Sequence, residues 1–148
     1  MFQKITRQSL DKFLERHAST SEVLDIGSGG SRYDRYFPNR ITVDVDPSRK
    51  PEIIGDIHDL PFEENRFDIV LCTEVLEHVK NPSKAISEIG RVLKRGGIVI
   101  LTTRFVYPIH DAPGDFWRFT EYGLKYLFEG WEIVDFEREV STFSTIAV

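Results

Sequence analysis

Three carboxylates stand at matching places in this chain. Asp25, Asp44 and Asp56 each lie at the end of a short apolar run, in VLDI, ITVD and IIGD. Singly, an aspartate there does no more than cap a strand or turn; three after successive strands can grip a nucleoside. The first run continues into Asp25-Ile26-Gly27-Ser28-Gly29-Gly30-Ser31. Glycine suits a turn that needs positive φ and a backbone that must approach a ligand without a Cβ. A G-x-G loop by itself serves NAD, FAD and other nucleotides alike. Asp44 lies where a carboxylate can accept hydrogen bonds from both ribose hydroxyls; Asp46 could do the same, and Asp44 is preferred. Asp56 can accept from the exocyclic amine of an adenine, with Val45 and Ile57 as apolar walls for the base.

A second concentration of chemistry runs from Arg104 to Thr120, RFVYPIHDAPGDFWRFT. A long segment dense in aromatic, ionisable and rigid residues has the profile of a functional loop rather than a connector. Histidine is the residue type suited to proton transfer near neutral pH, which makes His110 the best candidate for a general base. Asp111 could orient it or act as an alternative base, and Arg118 could hold an anionic group of a substrate. In the competing reading, Trp117 and Phe119 pack the loop onto the sheet while Asp115 and Arg118 form a fixing ion pair. Glu74, Glu77 and His78 fall at helical spacing and could together hold a divalent cation. The expectation is no metal, with His78 capping or packing a helix end. Cys72 has no paired histidine and reads as core lining. Tyr33 and Tyr36 either cover the ligand or pack.

These groups need a scaffold. Residues 2–17 place Phe2, Ile5, Phe13 and Leu14 on one side at helical spacing. Val23–Ile26, Ile41–Val45, Ile53-Ile54, Phe67–Cys72 and Ile98–Leu101 read as strands. The unalternated run FDIVLC implies a strand covered on both faces, as in a parallel sheet between helices. A helix is predicted from Asn81-Pro82-Ser83 to about Lys94, ended by Gly96-Gly97, with Lys84, Glu88, Arg91, Lys94 and Arg95 as its solvated face. Thr120 to Leu127 reads as another helix, and residues 131–136 and 143–148 as closing strands. The sum is a doubly wound α/β fold, mostly parallel with an antiparallel closing strand, binding its ligand at the strand C-termini.

With 148 residues, one domain is expected over 1–148, comprising an N-terminal helix within 1–20 and an acceptor-side loop at 104–120. No apolar run approaches the length of a membrane-spanning helix. The charged N-terminus lacks the apolar core of an export signal, and a single cysteine suits a reducing compartment, so a cytoplasmic location is expected. A net charge of −5 argues against generic nucleic-acid binding.

VLDIGSGGS, ITVDVDP, GDIHDLPF, FDIVLCTEVLEHV and RVLKRGGIVILT, in this order, resemble the class I S-adenosylmethionine-dependent methyltransferases, in the small-domain group with LPF and VLEHV signatures. The resemblance covers residues 23 to about 148. It implies S-adenosylmethionine as cofactor and S-adenosylhomocysteine as product. Asp25, Gly27, Ser28 and Gly29 then match the methionine-binding loop, Asp44 the ribose acid, and Asp56 and Ile57 the adenine contact, with Val45 among the cofactor-binding residues. Thr73 and Glu74 match the segment beneath the sulfonium. Ser31 departs from the third glycine of the loop. DFWRFT resembles a signature of one branch, and the E-x-x-E-H segment resembles one that binds metal in ubiquinone-type O-methyltransferases. The implied reaction is in-line displacement onto an unidentified, small-molecule acceptor. A second copy is a candidate partner, through an edge strand or the first helix. Two alternatives stand beside it: a nicotinamide-dependent oxidoreductase, for which no Tyr and Lys pair at short spacing is found, and a non-catalytic binding protein of methyltransferase type.

Overall fold

The computed structural model describes residues 2–30, 33–138 and 142–148. Among them α1 (Phe2–Arg16) leads into β1 (Val23–Ile26), β2 (Arg40–Asp44), β3 (Ile53–Ile54) and β4 (Phe67–Thr73). Then follow α2 (Pro82–Val92), β5 (Leu93–Arg104), α3 (Glu121–Leu127), β6 (Ile133–Arg138) and β7 (Thr142–Ala147). The side chains of Phe2 and Ile5, and Ser31 as a whole, lie outside the described residues.

Seven strands form one sheet in the order β3-β2-β1-β4-β5-β7-β6. The first five are parallel, and β7 runs antiparallel between β5 and β6. Chain order reverses between β1 and β4, so the crevice outside their carboxyl ends is where such sheets bind ligands. The FDIVLC run becomes β4, near the middle of the sheet, as its lack of alternation required. On one face Leu24, Ile26, Val70, Cys72 and Val99 meet Ala85, Ile86, Ile89 and Val92 of α2. On the other, Phe13 and Leu14 of α1 join Val23, Ile69, Leu71, Ile100 and Ile146. Fully burying one such side chain is worth about 1.5–3 kcal/mol. No helix among the described residues is long and apolar enough to cross a membrane.

Local chemistry sets the boundaries. The Asn81 side chain accepts from the Lys84 amide at 3.1 Å and Pro82 opens α2. The helix stops at Val92, two residues earlier than predicted, because Leu93 is already extended. Gly96-Gly97 therefore do not end a helix; they lie within β5, beside a register shift between Phe67 and Ile69. A Cβ on Gly97 would stand 2.9 Å from the carbonyl oxygens of Asp68 and Lys94, so only glycine fits there.

The expected solvated face of α2 also needs correction. Glu88 is buried at 7% exposure, accepting from the Leu60 amide (3.0 Å) and from Arg91 (2.8 Å). Arg91 also donates to the carbonyls of Leu60 and Phe62. The segment after β3 has no regular structure to satisfy its amides and carbonyls, and these two side chains do so instead. Among the described residues between β1 and β2, a short turn at Tyr33–Arg35 stands in place of a full crossover helix. The outer face of β2 is accordingly polar: the Glu52 carboxylate accepts from Thr42 N at 2.9 Å and Thr42 Oγ1 at 3.3 Å.

Candidate active site

The glycine loop closes onto β2 through Gly27 N–H to Val43 O, 2.8 Å. Gly27 has φ +67°, and a Cβ there would lie 2.3 Å from Val75 Cγ2. Gly29 has φ +53°, and its amide donates to Asp44 Oδ2 at 3.3 Å. The other Asp44 oxygen accepts from Asp46 N at 2.9 Å. Asp44 thus ties the loop to the turn after β2 while sitting at the carboxyl end of its strand. Asp46 caps the Pro47–Arg49 turn through Ser48 N, 2.9 Å, and that hydrogen bonding holds its carboxyl below the usual range. Both acids thus stand at the carboxyl end of β2, Asp44 with its two oxygens on backbone amides and Asp46 with Oδ1 on Ser48 N and Oδ2 3.6 Å from Arg49 Nε.

Asp25 is placed differently from expectation. Strand alternation turns it to the side of Val23, fully buried and ion-paired with Arg40. Its part is to brace β1 against β2 under the loop. Ser28 is buried, at 8% exposure. Val45 is exposed and offers an apolar surface, whereas Ile57 belongs to the core. Asp56 Oδ1 accepts from His58 N (2.9 Å) and faces His58 Nδ1 at 2.6 Å. Because His58 Nε2 accepts from Asn81 N at 3.2 Å, Nδ1 carries the hydrogen. The His58 contacts hold the Asp56 carboxyl low, the backbone bond most of all, and Oδ1 alone is engaged in them.

Past β4, Thr73 Oγ1 meets Tyr33 OH at 3.3 Å, which puts Tyr33 over the strand end; Tyr36 packs in the core. Glu74 adopts φ +57° and donates its amide to Thr102 O, 2.9 Å. Its carboxylate accepts from Thr102 Oγ1 (3.0 Å) and pairs with Arg104. Burial first, then the nearby Glu77 charge, push its pKa up to about 7 against the pull of Arg104. Glu77 is fully buried, accepting from Thr103 Oγ1 at 2.8 Å, with its other oxygen 3.9 Å from Arg104 Nε. Burial likewise raises the thiol of Cys72, which lies in the core as expected.

The helical face expected for Glu74, Glu77 and His78 does not form. Glu74 is left-handed, and Leu76–His78 make a single short turn. Glu77, His78 and His110 instead bring ligand-type atoms within 4.8 Å of one another. The Arg104 guanidinium already supplies positive charge beside Glu77, which disfavours a cation at that carboxylate.

The 104–120 loop is fastened over this turn. Phe116 and Trp117 amides donate to Glu77 O at 2.9 and 3.1 Å, and Trp117 Nε1 donates to Val79 O at 2.7 Å. His78 Nδ1 lies 2.8 Å from Gly114 O. Phe119 is buried while Trp117 keeps 42% exposure. His110 meets the rings of His78 and Tyr107 edge-on, with centroids 4.8 and 5.1 Å away.

Two acceptor-side expectations change. Asp111 is exposed at φ +53°, and Asp115, not Asp111, lies against His110. Arg118 donates to Tyr107 O, Trp117 O, Pro108 O and both oxygens of Asp115, which uses all five of its N–H groups. It has no donor left for an anionic substrate; the fixing ion pair is what forms. Sequence reasoning passed over Thr102 and Thr103, and it gave Arg104 no part beyond opening the acceptor-side loop. The polar triplet TTR closing an otherwise apolar strand was the available signal.

A model described as a methyltransferase domain matches residues 24–101, just over half of the chain. Among curated proteins, the chain is 34% identical over 100 residues to a ubiquinone biosynthesis O-methyltransferase of Dechloromonas aromatica, covering 55% of this chain and 43% of that protein. It is 31% identical over 100 residues to a tRNA (carboxymethyluridine(34)-5-O)-methyltransferase of Schizosaccharomyces pombe, covering 60% and 44%. The chain spans less than half the length of the curated relatives it matches. A solved 1,6-didemethyltoxoflavin-N1-methyltransferase of Burkholderia thailandensis, with its substrate and S-adenosylhomocysteine bound, shares the fold at TM-score 0.75 and 20% identity, over 92% of this chain and 74% of that one. With the sheet order, the glycine loop and the matched segment in agreement, the chain belongs to the methyltransferase domain family.

Proposed function

We propose that this chain transfers a methyl group from S-adenosylmethionine to a small acceptor whose nucleophilic atom gives up a proton to His110. The observation that carries the reading is the strand order, which sets the glycine loop, Asp44 and Glu74 at the carboxyl ends of β1, β2 and β4, while Arg104, the partner of Glu74, lies over Tyr107, whose ring meets His110. The strand ends fit the cofactor by their own chemistry. Gly27 and Gly29 take the positive φ, +67° and +53°, that the tight turn needs, Asp44 stands at the end of β2 for ribose hydroxyls, and Asp56 keeps an oxygen for an adenine amine. Val45 supplies an apolar wall, and Ser28, Thr73 and Glu74 border the methionine end. The bound sulfonium supplies an activated methyl group and its own leaving group, so the protein contributes alignment, a dry site and, where the acceptor is protonated, a base.

A small acceptor fits better than a polyanion. The chain carries a net charge of −5, Arg118 is spent on Asp115 and carbonyls, and Arg104 is paired with Glu74. Phe105, Val106, Ile109 and Phe116 of the same loop are exposed apolar groups, a surface for an organic molecule rather than a phosphate backbone. The tRNA-modifying relative marks the competing class. Calorimetric titration tests the cofactor half: S-adenosylhomocysteine should bind at one site and NADH should not, and the reverse preference would end this reading. For the acceptor half, His110→Ala should lower turnover about 10²–10⁴-fold with a protonated small acceptor, the usual range for a general base.

A further inference from the structure

We infer that Asp115 is a positioning residue that fixes the tautomer and direction of His110; this builds on the reading of His110 as the base. His110 Nδ1 lies 3.3 Å from Pro108 O and 3.3 Å from Asp115 Oδ2. Neither a carbonyl nor a carboxylate can donate, so Nδ1 keeps the hydrogen and Nε2 presents the lone pair. A base must have that lone pair free. Asp115 also accepts the backbone amide of His110 at 2.9 Å, so one carboxylate holds both the main chain and the ring of the same residue.

The carboxylate is itself held in its ionised form. Arg118 meets it as a fork, Nη1 to Oδ1 at 2.6 Å and Nη2 to Oδ2 at 2.7 Å, around a side chain only 1% exposed. The remaining donors of Arg118 go to Tyr107 O, Pro108 O and Trp117 O, which fixes the fork relative to the loop. The other ionisable groups facing the imidazole are His78, Tyr107 and Glu77; Asp111, its chain neighbour, is exposed. In the step this arrangement would serve, the acceptor's X–H bond breaks and its X–CH3 bond forms as the donor's S–CH3 bond breaks, the electron pair leaving with S-adenosylhomocysteine. The proton goes to Nε2, Nδ1–H stays in place, and the imidazolium is balanced by Asp115, which takes no proton. Water later removes the proton from Nε2.

The test reads the tautomer directly in the full chain, by long-range 1H–15N correlation of the imidazoles above their titration range. The chain has 4 histidines, so His110→Ala assigns the signal of interest. Neutral His110 should carry its hydrogen on Nδ1, and Asp115→Asn should move population to the Nε2–H form while S-adenosylhomocysteine still binds. An Nε2–H tautomer in the unaltered chain overturns the inference without any variant, even if Asp115→Asn does not fold. An unchanged tautomer in a folded Asp115→Asn protein overturns it as well. Failure of the underlying reading looks different. In that case His110→Ala keeps full turnover with simple phenols, thiols and amines as acceptor probes, whatever the spectra show.

Discussion

Asp44 shows how one side chain serves fold and ligand together. Its two oxygens hold the amides of Gly29 and Asp46, so removing it loosens the loop as well as the proposed ribose contact. Asp44→Ala should weaken S-adenosylhomocysteine binding by about 1–3 kcal/mol in calorimetry, the cost of losing a charge-assisted hydrogen bond and stranding its donors. Gly27→Ala should destabilise the chain by about 1–3 kcal/mol, read from urea unfolding, because φ +67° and Val75 Cγ2 at 2.3 Å both oppose a Cβ. Adding Val75→Ala should recover part of that loss and leave the backbone part. Glu74 predicts a pH effect of definite sign. Its carboxyl pKa rises from an ordinary 4.5 to about 7 on folding, so between those values the folded chain binds more protons than the unfolded one. Stability should therefore fall as pH rises through that window, and Glu74→Gln should flatten the fall, as thermal unfolding between about pH 5 and pH 8 would reveal.

At the scale of elements, α2 carries more than its apolar stripe. Glu88 and Arg91, which a periodicity count assigns to solvent, fasten the irregular segment carrying Asp56 to the helix. Glu88→Ala should cost about 1–3 kcal/mol in chemical denaturation, since the Leu60 amide and the Arg91 fork lose their acceptor in a buried place. Hydrogen exchange at Leu60 should quicken in the same variant; unchanged exchange would show that the segment is held by other contacts. The short turn at Leu76–His78 plays the equivalent part for the acceptor loop, through Glu77 O and Val79 O.

For the molecule as a whole, the strand order puts the glycine loop and the ends of β2, β4 and β5 at one end of the sheet. A ligand bound only by that assembled end must stabilise the folded state. S-adenosylhomocysteine at about 100 times its dissociation constant should add about 2.7 kcal/mol, visible as a higher melting temperature, whereas NADH should add nothing. Transfer RNA at moderate salt should also leave the melting temperature unchanged, because a net charge of −5 opposes phosphate approach. A salt-dependent shift with tRNA would move the acceptor from a small molecule to nucleic acid.

The linear order of residues already located the strands, the parallel class of the sheet and the acids in β1, at the end of β2 and after β3, because apolar runs and glycine turns are local properties of a chain. Local pattern also singled out His110 and Asp44. It could not say that Asp25 turns beneath the loop to meet Arg40, that Arg118 spends every donor within its own loop, or that Glu88 is buried. Nor could it separate Asp111 from Asp115 as the partner of His110. Each of those outcomes depends on which distant backbone groups a side chain meets once the sheet is assembled, as when Leu60 faces Glu88 or Tyr107 faces Arg118. Spacing along the sequence carries no record of such meetings. Only the folded chain chooses between two carboxylates four residues apart.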